Sequence, residues 1–141
     1  LTRTGDGKFT VRHAAPGIED YCRLREVAGL SPKAREAAEV GLANTLFGVQ
    51  ILDGERIVGM GRVIGDGGCF FQVVDIAVMP EYQGQGLGKL IIREIAEYIE
   101  REVPLTGYVS LLADGEAHRL YVQFGFALTA PNSIGMALRK E

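Results

Sequence analysis

The chain has 141 residues, 47% hydrophobic and 23% charged, which suits one sizeable core and is too apolar for a disordered segment. A net charge of −3, with acidic and basic residues interleaved, excludes a broadly basic nucleic-acid-binding surface. No apolar run approaches the ~20 residues of a membrane span, and no signal-peptide pattern opens the sequence. The expectation is therefore a single cytoplasmic domain over 1–141 with no nucleic-acid or membrane partner.

In chain order, Phe9–His13 alternates like a short strand. Ile18, Tyr21, Leu24 and Val27 then recur at helical spacing, and this helix closes at Gly29. Ser31 followed by Pro32 reads as an N-cap and first helical position, opening a second helix that ends near Gly41. The period then changes. "TLFGVQIL" and "RIVGMGRVI" flank Asp53-Gly54, a hairpin turn signal. The "GDGG" turn of 65–68 leads into a long central strand, "CFFQVVDIAV". From Leu87 the pattern is helical again, with Leu87, Leu90, Ile91, Ile95, Tyr98 and Ile99 on one face and Pro104 just past its end. "GYVSLLA" reads as a further strand, "GEAHRLYVQFGF" as a short helix stopping at Gly125, and "SIGMALR" as a last strand. The order β, α, α, three-strand meander, α, β, α, β predicts an α/β protein with a mixed sheet and helices on its faces. Cys22 and Cys69 lie in unrelated contexts without a CxxC, which predicts two buried free thiols. His13 and His118 are too few and too scattered for a metal site.

The strand-to-helix junction "PEYQGQGLGKLI" carries glycine at 84, 86 and 88. Glycine there serves positive φ or close approach to the backbone, and a helix start offers unpaired N–H groups to an anion. The spacing fits neither the Walker A loop nor the dinucleotide fingerprint. Gln83-Gly84-Gln85-Gly86-Leu87-Gly88 does fit Q/R-x-x-G-x-G/A, the acetyl-CoA signature of the GNAT superfamily of N-acetyltransferases, which this sequence resembles. The lead-in "DIAVMPEY" and the later "ADGEAHRLYVQFGF", with Ala117, Tyr121, Gly125 and Phe126 in register and Asp114 where asparagine is common, extend the likeness over most of the chain. "YQGQGLGKLI", "LLAD" and "GM" also look like the branch containing plant serotonin (arylalkylamine) N-acetyltransferases.

The resemblance implies a GNAT fold: a mostly antiparallel mixed sheet with a strand–glycine loop–helix site for acetyl-CoA, and no metal. Backbone groups of Ile76, Ala77 and Val78 would pair with the pantetheine arm. Amides of Gln83, Gly84, Gln85, Gly86, Leu87, Gly88 and Lys89 would hold the pyrophosphate. Lys89 and Arg93 read either as added charge or as solvated helix residues. Tyr121 stands where many family members place the proton donor for the departing thiolate; otherwise it is a core aromatic. The base is open. Gln72 falls where several members have a glutamate, and glutamine accepts no proton. Asp114 serves as base or ammonium anchor, or as a helix N-cap; Asp75 and His118 are the other candidates. The implied activity is direct acetyl transfer to a primary amine of a small molecule, with a non-catalytic acyl-CoA sensor and a protein N-acetyltransferase as alternatives, and a homodimer as a plausible state.

Overall fold

The Asp53-Gly54 turn forms with Gly54 at φ 62°, and the two apolar runs beside it become an antiparallel pair of the sheet. In this computed structural model, which describes residues 2–4 and 6–141, these strands are β3 (Phe47–Asp53) and β4 (Arg56–Gly65). Before them come β1 (Thr2–Arg3), β2 (Thr10–Arg12), α1 (Ile18–Val27) and α2 (Arg35–Ala43). After them come β5 (Phe70–Val78), a 3₁₀ turn at Pro80–Tyr82, α3 (Leu87–Glu102) and β6 (Tyr108–Ser110). The chain forms two compact units, Leu1–Leu111 and Leu112–Glu141. The second carries α4 (His118–Tyr121), extended by a 3₁₀ turn at Val122–Phe124 that stops at Gly125, φ 93°.

Among the described residues, six strands lie in chain order, antiparallel throughout except for the parallel pair β5–β6. Helices cover both faces of the sheet. A Cβ built on Gly61 would meet Ile91 and Ile95, so that face carries α3. The next side chain, Arg62, points the opposite way and bonds Asp75 beside Tyr21 and Arg25 of α1. With both faces covered, the central strands read as continuous apolar runs. Val49, Ile51, Val58, Met60 and Val63 of the sheet, Leu24 of α1, and Ile91, Ile92 and Ile95 of α3 are fully buried. Each large side chain of this set contributes about 1.5–3 kcal/mol on burial. At Gly48 the backbone of Ala14 and Ala15 crosses β3 so closely that a Cβ would lie 2.4 Å from the Ala15 nitrogen. The Gln50 amide of the same strand donates to both carbonyls of that crossing segment (3.0 and 3.2 Å).

Several expectations are corrected. The second helix starts at Arg35, not Pro32, and has no side-chain cap. Ser31 is drawn elsewhere: its carbonyl accepts from Nε and Nη2 of Arg25 at 2.8 and 2.6 Å. The strand expected over 107–113 contracts to Tyr108–Ser110. Residues 133–139 form no strand: alternation supplies a strand's two faces, but a ladder also needs a neighbouring edge, and Ile134, Met136 and Leu138 stand exposed. Both cysteines are free, but neither is buried. Cys22 is half-exposed, and Cys69 lies in a turn whose N–H groups at Gly68, Cys69 and Phe70 all donate to Asp66 Oδ1.

Candidate active site

β5 and its neighbours build the first part of the site. Arg62 of β4 pairs with Val74, but Met60 pairs with Ala77, so Asp75 and Ile76 together face Gly61. This is a β-bulge, and Asp75 takes φ 61°, unusual for a residue with a side chain. A buried network holds it there. Arg25 Nη1 and Arg62 Nε donate to the two Asp75 oxygens at 2.5 and 2.8 Å, and the Tyr21 hydroxyl adds a third bond at 2.8 Å. The same arginines reach the Ser31 carbonyl, the Gly41 carbonyl and the Thr45 hydroxyl, tying both helices to the bulge. Burial and the adjacent Asp75 carboxylate push the Tyr21 hydroxyl pKa up. Asp75 is thus a structural anchor with both oxygens engaged, and is not placed to take a proton from an amine.

On its other side β5 pairs with β6 only over Phe70↔Tyr108, Phe71↔Val109 and Gln72↔Ser110. Beyond Gln72 no strand among the described residues continues that ladder, so the edge from Val73 to Val78, including Ile76, Ala77 and Val78, is open to an extended ligand. The Val78 carbonyl already accepts from Gln83 Nε2 at 3.0 Å, which fixes the start of the glycine loop to the strand's end.

The loop itself is an array of free donors. Gly84 and Gly86 have φ 82° and 81°, and a Cβ built on either meets no protein atom within 4 Å. These glycines thus answer to backbone conformation and to the space beside the loop, not to internal packing. Gly86 is the N-cap of α3 and supplies no side-chain cap. Among the described residues, no protein acceptor pairs with the N–H groups of Gly84, Gln85, Gly86, Leu87, Gly88 and Lys89, whereas Leu90 N–H bonds the Gly86 carbonyl at 3.0 Å. Those N–H groups and the positive end of α3 suit an anion. Lys89 and Arg93 are exposed residues of the helix.

Sequence reasoning missed a nearer cation. Lys8, in the turn between β1 and β2, donates from Nζ to Gln85 Oε1 at 2.8 Å. Phe9 fixes that hairpin beside the loop by packing edge-on against Tyr82, ring centroids 6.0 Å apart. The Tyr82 hydroxyl in turn donates to Asp53. A local motif carries no signal for a partner 77 positions away.

In the second unit, Tyr121 is half-buried at the end of α4 and packs edge-on against Phe126, centroids 6.3 Å apart. Burial, then the negative charge of Asp114, push its hydroxyl pKa up, which keeps it protonated at neutral pH. Asp114 is exposed, and the capping role is absent: α4 starts after Ala117 with no side-chain cap, and only the Asp114 carbonyl is used, by Ala117 N–H at 3.0 Å. His118 is the first residue of α4 and is half-buried. Among the described residues no cluster of His, Cys, Asp and Glu has the makings of a metal site.

The acetyltransferase (GNAT) domain profile matches residues 44–128 of this chain. Over 83 residues the chain is 33% identical to the chloroplastic GCN5-related N-acetyltransferase 2 of Arabidopsis thaliana, covering 58% of the chain and 31% of that protein. It is 34% identical to the histone acetyltransferase TAP1 of Glycine max over a stretch of the same length, 58% of the chain and 35% of that protein. The chain therefore spans about a third of the length of these plant relatives. Among solved structures, a probable acetyltransferase of unknown function from meticillin-resistant Staphylococcus aureus, SA2161, superposes with a TM-score of 0.88 at 54% identity, covering 94% of this chain and 99% of that one. The GNAT protein SP0256 of Streptococcus pneumoniae follows at 0.77 and 26%, covering 94% and 98%. Bulge, open strand edge, donor array and profile coincide on one stretch of chain, and the chain belongs to the GNAT family of acetyltransferases.

Proposed function

We propose that the chain is an acetyl-CoA-dependent N-acetyltransferase that moves an acetyl group directly to a primary amine of a small molecule. The observation that carries this reading is the run of unpaired N–H groups from Gly84 to Lys89 beside the open β5 edge. An anionic diphosphate followed by an extended amide-bearing arm is the ligand such a surface satisfies. The residues present thus fit acetyl-CoA, which when bound supplies the activated thioester carbonyl.

The chain's own groups do the rest. Amides of Gly84 to Lys89 hold the pyrophosphate, with Lys8 adding a positive charge from the neighbouring hairpin; the expected Gln83 amide is not among them, because its N–H donates to the Pro80 carbonyl at 3.2 Å. Backbone groups of Ile76, Ala77 and Val78 align the arm, and a strand N–H polarises the carbonyl that develops negative charge. Asp114 accepts a proton from the substrate ammonium to leave the neutral amine that attacks, and Tyr121, protonated at neutral pH, gives one to the departing sulfur. Titration with acetyl-CoA followed by an amine panel, with thiol release as the readout, tests the reading. Binding without turnover on any amine would make the protein an acyl-CoA sensor. The second reading, a protein acceptor, draws on the histone acetyltransferase name of the Glycine max relative, and preferential turnover of lysine peptides would establish it.

A further inference from the structure

The side chains of β5 split between two faces. Phe71 and Val73 are buried, whereas Phe70 is 64% exposed and Gln72 half-exposed on the opposite face. Gln72 is flanked in register by Ile64 of β4 and Ser110 of β6, so these three side chains form one row across the sheet. In front of that row lies an open hollow of ≈ 320 Å³, lined by Ile64, Gly65, Phe70, Phe71, Gln72 and Ser110. Its position is informative. Gln72 and Ser110 are the last pair before β5 and β6 part, so the hollow begins where the open edge begins.

The chemistry of the lining is equally specific. Phe70 presents an exposed ring, braced edge-on by Tyr108 with centroids 6.3 Å apart. The polar groups are one amide and one hydroxyl, and no lining side chain carries a charge. The nearest carboxylate in sequence, Asp66, lies outside the lining as an exposed anion: Oδ1 accepts from the N–H groups of Gly68, Cys69 and Phe70, bonds that hold its pKa below the usual carboxylate range. A phosphate or carboxylate on the substrate would find no cation among the lining residues. Either would lose its hydration for nothing. The amide and hydroxyl suit a single amino group, and the Phe70 ring suits an apolar body.

We infer that this hollow is the acceptor subsite and that it selects a primary amine on an apolar body without phosphate or carboxylate, against amino sugar phosphates and amino acids. The inference rests on the acetyltransferase reading above. In transfer, the amine nitrogen forms the new C–N bond as the C–S bond breaks; one proton leaves the nitrogen and one reaches the sulfur, so no further reactant is needed.

The test compares 2-phenylethylamine and hexylamine with glucosamine 6-phosphate, lysine and a lysine peptide, after calorimetry has established acetyl-CoA binding. The two apolar amines are expected to exceed the others by about tenfold or more in kcat/KM. Phe70→Ala is expected to lower kcat/KM for 2-phenylethylamine by about tenfold, the loss carried by KM. Ser110→Lys, which places an ammonium in the hollow, is expected to raise turnover of glucosamine 6-phosphate. Unchanged acetyl-CoA affinity in both variants shows that each has folded. Binding of acetyl-CoA with a charged-bodied amine or the peptide as the best acceptor would overturn the assignment of this subsite alone. Failure to bind acetyl-CoA, or to turn over any amine, would overturn the acetyltransferase reading and this inference with it.

Discussion

Lys8 Nζ and Gln85 Oε1 lie 2.8 Å apart across a separation of 77 positions, joining the first hairpin to the loop before α3. Held by a neutral amide, this ammonium is free to turn toward a phosphate without first breaking an ion pair. Lys8→Ala is expected to weaken acetyl-CoA binding about twofold to fivefold at low salt, in line with an exposed charge interaction of up to about 1 kcal/mol. The effect should shrink as salt shortens the screening length. Calorimetry with acetyl-pantetheine, which lacks the phosphates, should show no difference between parent and variant. An equal loss with both ligands would assign Lys8 to hairpin packing alone.

Gly86 isolates conformation from packing, because a Cβ there meets nothing in the protein while φ is 81°. Gly86→Val is therefore expected to cost about 1–2 kcal/mol of stability through left-handed strain. Acetyl-CoA affinity should fall by more, above about tenfold, because the added methyls occupy the space beside the donor array. A folded variant with parental affinity would remove the pyrophosphate from this loop.

Tyr121 is the expected donor, and its raised pKa gives the sign of the pH dependence. The donor works while protonated, so activity should persist through neutral pH and fall only above the ordinary tyrosine range. Tyr121→Phe should lower kcat by roughly 10²–10⁴ with little change in KM for acetyl-CoA. Asp114→Asn removes one of the two causes of that raised pKa, so the alkaline limb of the profile should move to lower pH. It should also lose kcat/KM for amines if Asp114 takes their proton. With no capping bond to lose, its melting temperature should stay near parental. An unchanged pH–rate profile would release Asp114 from both roles.

Asp75→Ala leaves Arg25 and Arg62 buried without their shared carboxylate. Breaking a buried pair from one side costs about 3–5 kcal/mol, and here one residue serves two arginines. Urea unfolding should show a loss of at least that size. A loss near zero would mean that water reaches the network and replaces the carboxylate.

The sequence reading succeeded where periodicity and turn chemistry are local. The helical face of Leu87 to Ile99, the Asp53-Gly54 hairpin and the glycine loop all form where their residues signal them. It failed where a side chain's partner is distant. Ser31 resembles a helix cap but gives its carbonyl to Arg25, so α2 starts at Arg35. Asp75 resembles a free carboxylate in a strand, yet two arginines and a tyrosine from two other elements, α1 and β4, consume it. Ile134, Met136 and Leu138 alternate like a strand, yet their segment forms none and they stand exposed. The bulge is equally hidden, since it is a property of the register between β4 and β5, which neither strand carries alone.

Gly48 gives the N-terminal path a signature that can be looked for in other sequences. The chain at Ala14 and Ala15 passes within 2.4 Å of where a side chain would begin, so no other residue at position 48 is compatible with this route. A relative with a larger residue there must carry its first hairpin elsewhere, and any lysine equivalent to Lys8 would then be delivered to a different place. One position in β3 thus serves as a test of whether the basic hairpin can be transferred, by homology, from this protein to another.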